Sequence, residues 1–340
     1  MKIDGVWRFP HDLWLDESCA GRVKKVRFGS STAEIALPRL PPAPLTTEPL
    51  GAGNFPDLLE PAFGSLPMPW ADGVDRPKWG HRVADQHSIL IRAARLRMPP
   101  PDGVPIEYLP TPQLEIAFDS FFRVTSDWLR AWTGLRPPWI STRSEEASFS
   151  FYLSPPRAGL RFSAGSPQFL LVAYGQRSAT LQEFEAAVVC GIRLYPLPAP
   201  YALLYRAGWD LMRQDFRQAV IDSCTAPEVA LANSVRSRLT ALATPAETIK
   251  STLKRADGVV DLFRLWVILG ARPGVSEGRV MAQLAEPRNE AAHGGAVLSH
   301  PIAEAAMATA EDLVRGATPL PGPGRVATLA RRYESVTAAN

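Results

Sequence analysis

The chain has 340 residues, 46% hydrophobic and 21% charged, the composition of an ordinary soluble globular protein with room for two domains. Its formal charge of +3 is spread evenly, with 16 Lys and Arg against 14 Asp and Glu in residues 201–340 and 21 against 20 before them, which excludes a basic nucleic-acid-binding arm. No signal-peptide core follows Met1 and no apolar run approaches the ~18 residues of a membrane span, so the expectation is a cytoplasmic protein with no membrane partner.

Cys19, Cys190 and Cys224 are odd in number and far apart, with no neighbouring Cys or His at ligand spacing. Free thiols in a reducing compartment are therefore expected, rather than disulfides or a metal site. Residues 1–37 read as short strands, with approximate alternation in Val6–Phe9, Val23–Phe28 and Thr32–Leu37. Ten prolines between Pro38 and Pro77 forbid continuous helix or a central strand there and predict a long loop, packed down through Phe55, Leu58, Leu59, Phe63 and Trp70.

Strand character returns at Ser88–Arg97 and Gln113–Phe118, followed by a helix over Asp119–Gly134 capped by Asp119 or Ser120. Phe121, Val124, Trp128 and Trp132 form an apolar stripe on that helix. Further strands are expected at Ala147–Leu153, Gly159–Ala164 and Phe169–Tyr174. Thr180-Leu181-Gln182-Glu183 has capping-box form and opens a helix with Phe184, Ala187 and Val188 inward. His81, Asp85 and His87 do not have persuasive metal spacing and read as surface residues. Trp7, Trp14, Trp70, Trp79 and Trp139 could line a recognition surface, although tryptophans bury large areas and usually serve a core.

The proline run Pro196–Pro200 marks a boundary, after which the apolar period changes from 2 to 3.6. The expected division is a β-rich recognition or regulatory domain over residues 1–199, a helical domain over 200–318, and a Pro/Gly linker with a mobile or loosely docked tail over 319–340. The fold class is then α+β: a sandwich or curved sheet with inserted helices, followed by an all-α bundle. The bundle should begin with a helix over Tyr201–Thr225 (Leu204, Met212, Phe216, Val220, Cys224). Thr225-Ala226-Pro227-Glu228 has capping-box form and predicts a break and restart. The next helix carries Leu231, Val235, Leu239 and Leu242. Thr244-Pro245-Ala246-Glu247, a second such box, should launch a helix bearing Ile249, Leu253, Val260, Phe263 and Val267 until Gly270 stops it. Ser276 caps a helix with Val280 and Leu284, and Ser299 or His300 opens a last one with Ile302, Ala306, Ala310 and Leu313.

Site-like chemistry is concentrated in one stretch, Glu286-Pro287-Arg288-Asn289-Glu290-Ala291-Ala292-His293-Gly294-Gly295. On an α-helix Asn289 and His293 stand at i and i+4 and share a face, and Arg288 lies one step around from Asn289. Pro287 should open or kink that helix and the two glycines should end it. An imidazole beside a guanidinium suits proton transfer next to a phosphate.

Arg288, Asn289 and His293, late in a domain of four or five helices and followed by glycines and one more helix, resemble the signature of the HEPN superfamily (higher eukaryotes and prokaryotes nucleotide-binding). There an Arg, usually followed by a polar residue, is separated from a His by four to six intervening residues. The resemblance covers about residues 201–316. It implies a HEPN-like bundle and a metal-independent, cofactor-free endoribonuclease of the toxin or anti-phage type. It also implies a homodimer whose two motifs form one composite site, RNA such as a tRNA loop as substrate, and an antitoxin or phage-derived trigger as possible partner. His293 would act as general base or acid on a ribose 2′-hydroxyl, Arg288 would stabilise the phosphate charge, and Asn289 would orient the imidazole or a phosphate oxygen. Glu228 would be the supporting carboxylate. Products would carry 2′,3′-cyclic phosphate and 5′-hydroxyl ends.

Each of these residues also has a structural reading. Glu228 is accounted for by its capping box, Arg288 by a helix ion pair, and His293 by the dipole of a helix C-terminus. The alternative function is a catalytically silent dimerisation and RNA- or nucleotide-binding module, with the β domain as ligand sensor.

Overall fold

A computed structural model describes residues 2–28, 31–40, 79–83, 87–99, 112–134, 139–140, 148–154, 170–171, 177–294 and 297–333. Most of the expected proline-rich loop, Trp70, Asp85 and the expected strand Gly159–Ala164 lie outside these residues. The chain is mixed α and β, with small sheets in its N-terminal part and a mostly helical remainder. It divides into two compact units: Met1–Leu129 with Ile140–Pro196 and Pro323–Asn340, and Arg130–Trp139 with Leu197–Gly322.

The first unit is built on β1 (Lys2–Asp16), β2 (Val23–Phe28), β3 (Ser31–Ala36), β4 (Gly80–Val83) and β5 (Ser88–Met98). β6 (Trp139–Ile140), β7 (Ser148–Ser154) and β8 (Leu170–Leu171) follow α1 (Pro112–Thr133) in the chain. The larger sheet runs β2-β3-β5-β1-β7, and β6 and β8 form a separate pair. β1 lies antiparallel to β5 on one side and β7 on the other, with a register shift between Arg8 and Leu13. The far edge of β5 is shared, since Arg95–Arg97 pair with β3 while Ser88–Ile91 pair with β4. Ala93 to Leu96 are buried without alternation, so both faces of β5 are covered at that point.

The expected strand at Gln113–Phe118 is instead the start of α1, which opens at Pro112. Phe118, Phe121, Phe122, Thr125 and Leu129 are buried at helical spacing, whereas Ile116 is exposed, so a short run of period 2 was overridden by the longer period of 3.6. The cap expected at Asp119 or Ser120 is therefore mid-helix. α2 (Leu181–Arg193) starts as its sequence foretold, with both bonds of the Thr180–Glu183 capping box formed and Phe184, Ala187 and Val188 buried.

Within the segment expected to be linker and tail, Pro323–Arg332 forms α10. Val326, Ala327 and Ala330 are buried, and the helix packs against α2. Proline and glycine at 319–324 end one helix and then open another at its first turn, where a missing N–H costs nothing.

The second unit is helical: α3 (Ala199–Met212), α4 (Phe216–Ala241), α5 (Ala246–Arg255), α6 (Gly258–Ile268), α7 (Glu277–Val280), α8 (Glu286–Asn289) and α9 (His300–Ala317). α4, about 39 Å long at 1.5 Å per residue, packs against α3, α5, α6, α8 and α9. Its core includes Tyr201, Leu204, Val220, Leu231, Phe263, Trp266, Val280, Leu284 and Leu313. The expected helix Tyr201–Thr225 is broken earlier, at Arg213–Asp215, where Gln214 has φ +63° and the Asp215 side chain caps α4.

The break expected at Thr225–Glu228 does not occur, and α4 continues through Pro227. The Thr225 hydroxyl donates back to the Ile221 carbonyl at 2.8 Å instead of capping. Pro227 and Ala226 are buried, and that packing offsets the hydrogen bond lost at the proline. The second expected box is not formed either: α5 has no side-chain cap, and the run divides at Ala256–Asp257, where Gly258 takes φ +78°. Gly270 (φ +85°) ends α6 as expected, and Ser276 accepts from the Arg279 N–H. Among the described residues no helix is long and apolar enough to cross a membrane.

Candidate functional site

The motif stretch is helical, but its register alternates. Met281–Ala285 is a π turn, in which the Glu286 N–H bonds back five residues to the Met281 carbonyl; α8 follows, and Glu290–Gly294 is a second π turn. Pro287 thus lies in the first turn of α8, and the helical stretch runs into it without a break from the π turn before. A proline ring clashes with the carbonyl four residues earlier, and the wider turn just before it relieves that clash.

The second π turn alters the face expected for an α-helix. Hydrogen bonds at five-residue spacing widen the turn, so Asn289 and His293 no longer stand in strict α-helical register there. The first π turn is held by α9. Thr309 Oγ1 donates to Gln283 Oε1 at 2.5 Å, Arg279 Nε donates to the same oxygen at 3.0 Å, and Arg279 also pairs with Asp312 at 3.0 Å. Leu284 in the first π turn and Ala291 in the second are buried in the core.

Because α4 is unbroken, Cys224 and Glu228 stand at i and i+4 on one face of it, and the thiol lies 3.7 Å from Glu228 Oε1. The other side of the carboxylate meets the start of α6. The Val259 backbone N–H donates to Glu228. Gly258 lies so close that a Cβ there would be 3.6 Å from Oε1. Arg288 interacts electrostatically with both Cys224 and Glu228. Desolvation is the largest influence on Glu228 and raises its pKa; Arg288, Cys224 and the Val259 N–H oppose that rise without reversing it. Burial, aided by Glu228, pushes the Cys224 thiol up to about 12. Cys224 is therefore a neutral hydrogen-bond donor, not a nucleophile.

The four expected residues are thus partly gathered. Glu228 and Arg288, both half-buried, stand where α4 packs on α8 and influence one another electrostatically without an ion pair within 4 Å; Asn289 and His293 are exposed. Arg288 donates to Asn289 Oδ1 at 3.5 Å, a long contact that leaves the guanidinium available. Sequence reasoning missed Cys224, Gly258 and Val259 as neighbours of the carboxylate. The i, i+4 spacing of Cys224 and Glu228 was visible, but the break expected at Pro227 concealed it. Among the described residues no group of three or more His, Cys, Asp or Glu could hold a metal ion.

Neither a protein-family model, nor a curated protein, nor a solved structure matches this chain.

Proposed function

We propose that the helical unit is a HEPN-like endoribonuclease domain, active as a homodimer in which two copies of the Arg288–His293 stretch form one composite site. The finer reading of the first unit, a sandwich or curved sheet that recognises a regulatory ligand or trigger, belongs to the same proposal. What supports it is the nearness of Arg288 to Glu228. Two residues sixty positions apart, named for one site by the resemblance, lie close enough for the guanidinium to favour the charged carboxylate, without an ion pair within 4 Å. Asn289 and His293 beside them are open to substrate or to a second chain.

The chemistry follows from the groups. One His293 takes the proton of a ribose 2′-hydroxyl as its oxygen bonds to phosphorus. The bond from phosphorus to the 5′ oxygen breaks, and the His293 of a second copy returns a proton to that oxygen. Arg288 faces the charge gathering on the phosphate. Glu228, half-buried nearby, orients Arg288. One copy holds one arginine and one histidine of the motif, so the second copy completes the acid–base pair.

The test is cleavage of total RNA in EDTA, together with growth inhibition on expression, by the wild type and His293→Ala. Cleavage and toxicity by the wild type alone are expected, with 2′,3′-cyclic phosphate ends. Equal inactivity of both proteins, shown to be folded, overturns the nuclease reading in favour of a silent binding module.

A further inference from the structure

The carboxylate of Glu228 is bounded not only by Arg288 but by the elbow between α5 and α6, through Gly258 and Val259. That elbow is two residues long, Ala256 and Asp257. A chain spans at most about 3.6 Å per residue, so the Cα of Arg255 lies within about 11 Å of that of Gly258. The last turns of α5 are therefore tied to the edge of the site.

Those turns are basic. Lys250, Lys254 and Arg255 are exposed, while on the same helix Ile249 is buried and Leu253 packs against the core. Lys250 and Lys254 stand at i and i+4 and share a face, with Arg255 one step around. Among the described residues none of the three has a carboxylate within 4 Å, in contrast to Arg206, Arg264, Arg279 and Arg315, which are paired with Asp222, Glu277, Asp312 and Glu311. Cations in a last turn favour the helix C-terminus, which accounts for Lys254 and Arg255 but not for Lys250. The acidic residue of the elbow is Asp257, whose backbone N–H donates to Asp261 Oδ2 at 3.2 Å.

We propose that Lys250, Lys254 and Arg255 form the shoulder of the site that binds the phosphate backbone of a single-stranded RNA segment, leading it to Arg288 and His293. This rests on the ribonuclease reading for its ligand. Unpaired, exposed cations on one helix face give up only hydration and counterions when they meet phosphates, which is the source of affinity for a nucleic-acid backbone. A shallow patch of three charges matches a chain whose net charge is too small to hold long nucleic acid.

The experiment measures binding of a short fluorescein-labelled single-stranded RNA by anisotropy at a series of salt concentrations, with full-length His293→Ala protein so that the probe survives. Three lost phosphate contacts lower the slope of log affinity against log salt by about 2. The combined variant Lys250→Gln, Lys254→Gln, Arg255→Gln is expected to show that fall. Arg325→Gln, Arg331→Gln, Arg332→Gln on α10 removes the same charge and is expected to keep the original slope. An unchanged slope in the α5 variant, an equal fall in both variants, or no binding by the parent protein overturns the proposal. Cleavage by the wild type is scored separately, so failure of the shoulder and failure of the nuclease are read from different measurements.

Discussion

Glu228→Gln separates a working carboxylate from an ordinary structural ion pair. The amide keeps an oxygen for the Val259 N–H and the volume of the side chain, but removes the charge. Desolvation outweighs Arg288 and raises the folded pKa of Glu228 above its unfolded value. A raised carboxyl contributes stability that is fully present below the unfolded pKa, near 4.5, and is lost as pH rises through the folded pKa. The ionised carboxylate is therefore the form that the fold disfavours. Relief of that desolvation is opposed by about 1 kcal/mol for exchanging a charge-assisted hydrogen bond for a neutral one. Solvent screening at this half-buried position limits the net gain to the order of 1 kcal/mol.

Thermal unfolding should then place Glu228→Gln about 3 °C above the wild type at pH 7. The difference should shrink towards zero as the pH approaches 4.5, while RNA cleavage at pH 7 falls. A variant less stable than the wild type at pH 7, with the loss disappearing in acid, would mean that Arg288 stabilises Glu228 more than burial costs it. The site would then be a structural pair, and the reasoning refuted.

His293→Ala should reduce cleavage by about 100-fold or more and leave the unfolding temperature unchanged, because the side chain is exposed. Gly258→Ala should cost about 1 to 2 kcal/mol from its left-handed backbone, since the added Cβ would meet Glu228 Oε1 only at the ordinary contact distance of 3.6 Å; denaturant titration measures it. Leu284→Ala, at a fully buried position beneath the motif, should cost about 2 to 5 kcal/mol in the same titration. Light scattering should give a dimer of about 74 kDa, twice the 37.1 kDa chain; a monomer at micromolar concentration would remove the second histidine from the site.

Local chemistry determined much of this molecule directly. The alternation of Val23–Phe28 and Thr32–Leu37, the reciprocal cap of Thr180 and Glu183, the stop at Gly270 and the cap at Ser276 are short-range effects, decided within a few residues by sterics and hydrogen bonding. The concentration of Arg288, Asn289 and His293 was equally plain. Where proline or a capping pattern competed with burial, tertiary packing decided. α4 runs through Pro227 because Ala226 and Pro227 are themselves buried, and the helix at Pro323–Arg332 exists because Val326, Ala327 and Ala330 are covered against α2.

The same holds at the site. The π turns around Pro287, the placement of Gly258 and Val259 against Glu228, and the nearness of that carboxylate to Arg288 depend on elements distant in the chain. No local pattern encodes them, because the burial that raises Glu228 and the guanidinium that opposes it are supplied by helices that the sequence places tens of residues away.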